Sequence, residues 1–272
     1  GYLGRTVQII PDVIDEIKRF IYSSENQNID IAICEIGGTV GDIESQPFLE
    51  AIRQVGQEKG RENVIYIHVP LIVEIPGSGE LKSKPVQRSV RELNSLGIQP
   101  DVLVCRSTQP LTKEIKNKIA LLCNVEQKAI IENLTAESIY EVPLLLEKEG
   151  LCDIVCEKLK LPTVEPNLEK RKEMVSKIKN ARKKVKIALV GKYTELHDAY
   201  LSVEEAIFHA ASSLDAKAEI LWTNSEEINE ENVQEKLKEA NGIIIPGGFG
   251  VRGIEGMIGV AKYARENNVP CL

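Results

Sequence analysis

Two clusters of acids and cations stand out in the 272-residue chain, because their spacing suits the handling of a phosphorylated ligand. Glu35 closes an apolar run and is followed by Gly37-Gly38-Thr39-Val40-Gly41-Asp42-Ile43-Glu44-Ser45. In an open parallel sheet, ligands bind beyond the carboxyl ends of the strands, so an acid there is placed to hold Mg²⁺ on a nucleotide. Glycines allow close backbone approach, and Asp42 and Glu44 can accept hydrogen bonds from hydroxyl or amino groups. The plainer alternative is a solvent-facing strand end with a Gly-rich turn. The second cluster, Gly77-Ser78-Gly79-Glu80-Leu81-Lys82-Ser83-Lys84-Pro85-Val86-Gln87, lies between a strand and a helix. Lys82 and Lys84 are read as neighbours in an extended, proline-limited segment, able to meet one polyphosphate beside a helix N-terminus. A basic surface loop explains the same spacing. A third motif, Pro246-Gly247-Gly248-Phe249-Gly250, directly follows the run GIII and can turn backbone N–H groups toward an acyl-transfer oxyanion. No GxxxxGK[ST] phosphate loop occurs.

Other reactive residue types point elsewhere. His68 falls inside a strand pattern and His209 on an amphipathic helix, so each reads as a packed or surface histidine; with His197 they form no triad, and none is expected to be a catalyst. The six cysteines, at 34, 105, 123, 152, 156 and 271, sit mostly in apolar patterns and are expected to be buried and reduced. Cys152 and Cys156 are one helical turn apart, but nothing completes a four-ligand metal set.

The elements that must position these residues follow an alternating pattern. A helix is predicted over 8–22, a doubly covered strand over Asn28–Ile36, then helix 47–59, strand 64–73, helix 87–96, strand 101–105, helix 112–122, strand 128–132 and helix 142–159. Residues 161–184, with Pro162, Pro166 and a Lys/Glu-dense tract, read as a linker ending in a solvated helix. A second series runs from Val185 through helix 199–214, strand 218–222, helix 230–240, strand 242–245 and helix 254–267. The expected class is α/β, with two parallel-sheet units over residues 1–160 and 185–272. The chain begins without Met and stops where a further apolar strand starts, so it reads as an internal piece of a longer protein.

Composition narrows the function classes. Hydrophobic residues make up 43% and charged residues 28%, with 34 Lys+Arg against 41 Asp+Glu and a net charge of −7. That balance disfavours non-specific binding to nucleic acid or anionic membrane. No apolar run approaches the ~20 residues that span a bilayer, and no signal-peptide pattern opens the chain, so a cytoplasmic location is expected.

Taken in order, GYLGRTVQIIP, CEIGGTVGDIES, GELKSKP, GIQPDVLVCRS, the SIY segment, VGKYTEL and PGGFGVRG closely resemble the CTP synthase family of glutamine-dependent amidoligases over essentially the whole chain. The resemblance implies a P-loop-related amidoligase domain over 1–160, a linker over 161–184 and the first half of a flavodoxin-like class I glutaminase domain over 185–272. It implies ATP-dependent amination of UTP to CTP, with ammonia from glutamine, CTP as feedback inhibitor, GTP as allosteric activator, Mg²⁺ and a homotetramer.

By the same resemblance, Glu35 matches the Mg²⁺ ligand. Asp42, Ile43, Glu44, Lys82, Ser83, Lys84, Pro85, Val86, Gln87 and Lys118 match UTP/CTP contacts, in a site built between subunits. Leu134, Thr135 and Ala136 match the adenine-contacting stretch of ATP, and Gly248 the glutamine contact. The phosphate loop and a second Mg²⁺-binding Asp are expected before Gly1, and the nucleophilic Cys, its His and its Glu after Leu272, so no catalytic residue is expected within the chain and these residues alone should be inactive. Ser83 and Val86 replace two threonines of the family pattern; a lost hydrogen bond at Val86 would weaken nucleotide binding by about 0.5–1.5 kcal/mol. Two other readings fit the architecture: another amidoligase of the same design, or a non-catalytic nucleotide-binding or filament-forming scaffold.

Overall fold

The computed structural model describes residues 4–24 and 29–272, which fall into two compact units divided between Pro166 and Asn167. The first three residues of the GYLGRTVQIIP motif and Asn28, the start of the first expected strand, lie outside the described residues. In the first unit, helix α1 spans Ile14–Tyr22, not 8–22. Pro11 lacks an N–H and Ile10 is extended (φ −114°, ψ 119°), so the chain before Ile14 forms only an irregular π-type turn. Helix α2 (Gln46–Lys59) packs on α1, and Lys18 Nζ of α1 donates to Gln54 Oε1 at 3.0 Å and Glu58 Oε1 at 2.6 Å.

The expected strand at 28–36 is not found among the described residues. Its described residues, 29–36, are in no ladder, and Ile29, Ile31 and Ile33 are exposed. The apolar pattern is strand-like, but a strand exists only where a neighbour accepts its hydrogen bonds, and no such neighbour occurs among the described residues.

The expected strand 64–73 is likewise interrupted. Strand β1 is Ile67–His68, Pro70 follows, and β2 (Val73–Glu74) pairs antiparallel with β3 (Leu81–Lys82). Helix α3 starts earlier than expected, at Lys84, and runs to Ser95 with Pro85 in its first turn. It leads to β4 (Val102–Ser107), helix α4 (Lys113–Cys123) and β5 (Ile130–Leu134). Gly150, at φ +79°, breaks the expected helix 142–159 into α5 (Val142–Lys148) and α6 (Leu151–Lys158).

The sheet has the parallel order β1-β4-β5, with Leu103 opposite Ile130 and Ser107 opposite Leu134. β4 is central, and Val102, Leu103, Val104 and Cys105 are all buried. Burying each large aliphatic side chain contributes about 1.5–3 kcal/mol, so this strand anchors the unit. Burial lifts the Cys105 thiol to about 12 and that of Cys123 to about 11, keeping both protonated. Against expectation, Cys34 and Cys271 are exposed.

In the second unit, helix α7 (Glu169–Asn180) is part of the packed body: Val175 is buried, and the helix contacts α8. Strand β6 (Lys183–Gly191), helix α8 (Leu201–Ser213), β7 (Ala216–Asn224), the short α9 (Val233–Leu237), β8 (Gly242–Ile244) and α10 (Ile254–Glu266) follow. The sheet order β7-β6-β8 is parallel throughout and doubly wound. Beyond β8 the terminal residues pair next, Ile243 N donating to Pro270 O and Ile245 N to Leu272 O, both at 2.8 Å. One core holds Ala188, Val190, Leu237, Ile243 and Val260, and another holds Ile207, Ala211 and Ala218.

Candidate functional site

In the first unit two of the expected site segments, the 134–136 stretch and the β2–β3 hairpin, are fastened at the carboxyl end of β4. Thr135 N donates to Ser107 O at 3.0 Å, so the 134–136 stretch is fastened to the end of β4. Ser107 Oγ is buried with no partner among the described residues, a polar atom that a ligand or water at this edge would satisfy. The β2–β3 hairpin is tethered to the same edge. Thr108 Oγ1 donates to a Glu74 carboxylate oxygen, and Gln109 Nε2 donates to Gly79 O at 2.7 Å.

The hairpin delivers the Lys82–Gln87 run in a form different from the extended segment expected. Lys82 lies in β3 and forms an ion pair with Glu80 at 2.5 Å. Ser83 is already helical in φ and ψ (−86°, −6°), and Lys84 and Pro85 form the exposed first turn of α3. Its free amides and partial positive charge add to the Lys84 ammonium. Gln87 is buried and donates from Nε2 to Ser83 Oγ at 3.1 Å. Val86 is wholly buried in the core with Val90 and Leu103, which corrects the expected loss of a ligand hydrogen bond there: its side chain fills apolar space. Lys118 is exposed on α4 and, like Lys84, has no ion-pair partner among the described residues.

The acidic loop is closed on itself. Asp42 Oδ2 accepts from Thr39 N at 3.0 Å, while Asp42 O accepts from Ser45 N at 3.2 Å and Ser45 Oγ at 2.9 Å. Ile43 and Glu44 point to solvent, and Ile36 and Val40 pack on Leu49, Leu93 and Ile98. Gly41 approaches Glu92, near the C-terminal end of α3. Lys84 lies eight residues earlier, about 12 Å along the helix axis. The structure therefore does not bring Asp42 and Lys84 together within one chain.

Glu35 is exposed, follows no strand and engages no partner among the described residues. A free carboxylate of this kind suits Mg²⁺, which takes one or two protein carboxylates and completes its shell with water and phosphate. No group of three or more His, Cys, Asp or Glu capable of holding a metal occurs among the described residues.

The second unit holds its own cluster at the ends of β6 and β8. Sequence reasoning missed its main residue, Lys192. Only 7% exposed, it follows β6 and donates from Nζ to Phe249 O, gripping the Pro246–Gly250 turn. A side chain on Gly248 would meet the Lys192 stem at 3.1 Å. The amides of residues 247–250 donate to no backbone acceptor among the described residues and remain available to an anion. The signal was present as a Gly-Lys step at a strand end, but its burial is tertiary information.

Tyr200 braces the segment that follows β6, its hydroxyl accepting from Lys192 N at 3.2 Å and Tyr193 N at 3.4 Å. A Cβ on Gly191 would overlap that hydroxyl. The tail of the Gly-rich motif serves packing: a Cβ on Gly256 would run into the Ser225 carbonyl, so α10 sits directly on the backbone after β7. Arg252 forms an ion pair with Glu226 at 3.2 Å across this contact. His68 and His209 are packing and surface residues as expected, His68 bonded to Ser89 and His209 exposed, while His197 stacks on Trp222 with ring centroids 4.0 Å apart.

Comparison with known proteins agrees with both units. Residues 1–161 match the family described as CTP synthase N-terminus, and residues 195–272 match glutamine amidotransferase class-I. The chain is 56% identical over 270 residues to the CTP synthase of Clostridium kluyveri, covering 99% of this chain and 50% of that protein. It is 54% identical over 272 residues to that of Caldanaerobacter subterraneus subsp. tengcongensis and 51% identical over 272 residues to that of Bacillus subtilis, covering 100% of this chain and 51% of each relative. The chain thus spans about half the length of the curated relatives it matches. On this match over both units, the chain belongs to the CTP synthase family.

Proposed function

We propose that this chain supplies nucleotide- and glutamine-binding surfaces for ATP-dependent amination of UTP to CTP. The carrying observation is the carboxyl end of β4, to which the hairpin that leads into α3 is tethered through Gln109 and the 134–136 stretch is fastened through Ser107. One side offers cations and helix amides to a triphosphate, the other backbone groups to an adenine.

In the proposed reaction, the γ-phosphoryl group of ATP passes to the 4-oxygen of UTP, releasing ADP. Ammonia then attacks C4, and phosphate leaves with that oxygen, which would otherwise be a poor leaving group. Lys82 and Lys84 hold the UTP triphosphate by charge, and the Asp42–Glu44 loop accepts hydrogen bonds from the nucleoside. Leu134, Thr135 and Ala136 orient the adenine of ATP. Glu35 is the residue that would hold Mg²⁺, which when bound neutralises phosphate charge. In the second unit, the amides around Gly248, kept in place by Lys192, stabilise the oxyanion formed as glutamine is hydrolysed to supply ammonia.

The ~12 Å of α3 between Lys84 and the Asp42 loop supports a site shared between copies, with the loop of one protomer facing the cations of another. A homotetramer, feedback binding of CTP at this site and activation by GTP complete the reading on family likeness. No helix among the described residues is long and apolar enough to cross a membrane, which is consistent with a cytoplasmic enzyme.

The test is CTP formation by the full-length protein from UTP and Mg-ATP, with glutamine and ammonium chloride as parallel nitrogen sources. Activity with both supports the whole reading. Activity with ammonia alone removes the glutaminase half, and inactivity with both overturns it in favour of a nucleotide-binding scaffold or another amidoligase.

A further inference from the structure

Where the chain leaves β6, residues 192–200 fold back toward the strand they came from, and an aromatic clasp closes them. Trp222, near the carboxyl end of β7, sits opposite Leu189 in the parallel ladder, just before β6 ends at Gly191. Its indole stacks on His197, with planes 6° from parallel, and meets the Tyr200 ring at 6.5 Å between centroids and 31°. His197 and Tyr200 are the first and last residues of one 3₁₀ turn, so a single indole holds both ends of it.

The turn has little else to keep it in place. It spans four residues and has no side-chain cap, and 197–199 are exposed. The backbone bonds of Leu196 and Ala199 stay within the loop, Leu196 N donating to Tyr193 O at 3.2 Å and Ala199 N to Leu196 O at 2.9 Å. Tyr200, by contrast, is buried, and its hydroxyl receives the amides of Lys192 and Tyr193. The place of the ring therefore decides the place of the Lys192 backbone, and Lys192 Nζ in turn holds Phe249 O. Arg252, two residues past the glycine turn, lies 5.2 Å from the centre of the Tyr193 ring, a second contact between the two segments.

We propose that Trp222 is a positioning residue for glutamine hydrolysis. By holding His197 and Tyr200 on β7 it fixes Lys192, and through Lys192 the amides of residues 247–250. The inference rests on the reading of those amides as the oxyanion site. The indole touches no substrate in this role. Amides aimed at a charge that develops during reaction act mainly on the transition state, so loosening the clasp lowers the rate of hydrolysis and changes the affinity for glutamine little.

The test compares full-length wild type, Trp222→Leu and Trp222→Phe in three assays: glutamate release from glutamine, CTP formation with ammonium chloride, and hydrogen exchange at the amides of Lys192 and Tyr193. In Trp222→Leu, kcat for glutamine should fall about tenfold with KM within about twofold, because an interaction made in the transition state is what weakens. Exchange at the two amides should quicken, ammonia-dependent CTP formation should persist, and Trp222→Phe, which keeps a ring on Tyr200, should restore most of the kcat. His197→Ala removes half of the stack at an exposed position where folding is not at stake, and should show the same pattern at about threefold. Unchanged kcat in both Trp222→Leu and His197→Ala overturns the proposal, as does unchanged exchange at the two amides, an equal loss with ammonium chloride, or a loss that Trp222→Phe fails to restore. A wild-type protein that releases no glutamate overturns the oxyanion reading itself, and the proposal with it.

Discussion

Two glycine-rich loops follow apolar runs in this chain, and their surroundings differ sharply. The Pro246–Gly250 turn leaves β8, a strand paired on both sides, and is gripped by buried Lys192. The Gly37–Ser45 loop leaves residues 29–36, which pair with nothing described, and is held by Asp42 and a small apolar cluster. Similar local sequence therefore yields a braced site in one unit and a self-closed, solvent-facing loop in the other. Bracing comes from non-local partners and not from the glycines themselves.

The largest expected effect is in α10, the helix that follows the braced loop. Gly256→Ala should destabilise the second unit by about 3 kcal/mol, since backbone, not a mobile side chain, occupies the space. Equal chemical-denaturation midpoints for wild type and variant would show that α10 does not sit directly on the backbone after β7. Acid should discriminate in the opposite direction. Burial lowers His68, beside α3, from 6.5 to about 4. Its stabilisation is complete above pH 6.5 and is lost as pH falls toward 4, because the unfolded chain then binds the extra proton. Allowing for partial exposure, about 2 kcal/mol should disappear from the first unit over that window. Denaturation of wild type and His68→Asn at stepped pH values checks this, the variant showing the flatter profile.

Next comes Lys192→Met, for which glutamine-dependent CTP formation should fall about tenfold, or 1.4 kcal/mol, with ammonia-dependent formation retained. Equal losses with both nitrogen sources would show that the lysine does not act through the turn. The smallest effect is expected at Asp42→Ala, about 1 kcal/mol, from the lost bond to Thr39 N. Hydrogen exchange should quicken at the amides of Thr39 and Ser45 but not at those of α3. Protection lost throughout α3 would make this loop as integrated as the other.

The same contrast explains what could be read from the chain alone. β4 was legible because a short, fully apolar run must be covered on both faces, and it is. Residues 29–36 carry an equally good pattern, but pairing depends on a partner that no local window contains. The start of α3 was missed because Lys-Pro was read as an extended dipeptide, whereas proline also suits a helix's first turn. Gly248 was placed from its motif, while Lys192 went unnoticed because an isolated lysine gives no sign that it will be buried. Val86 was judged by the hydroxyl it lacks, when its core position is what matters.

The ring of Tyr200 occupies the room that any side chain on Gly191 would need, while its hydroxyl receives the next two amides. The two positions are therefore locked to an order of change. A larger residue at 191 becomes admissible only after the ring at 200 has gone, and losing the ring first leaves two amides without their acceptor. Any path of substitution through this turn must cross a weakened intermediate, which makes it a natural place to look for paired replacements that are tolerated together but not singly.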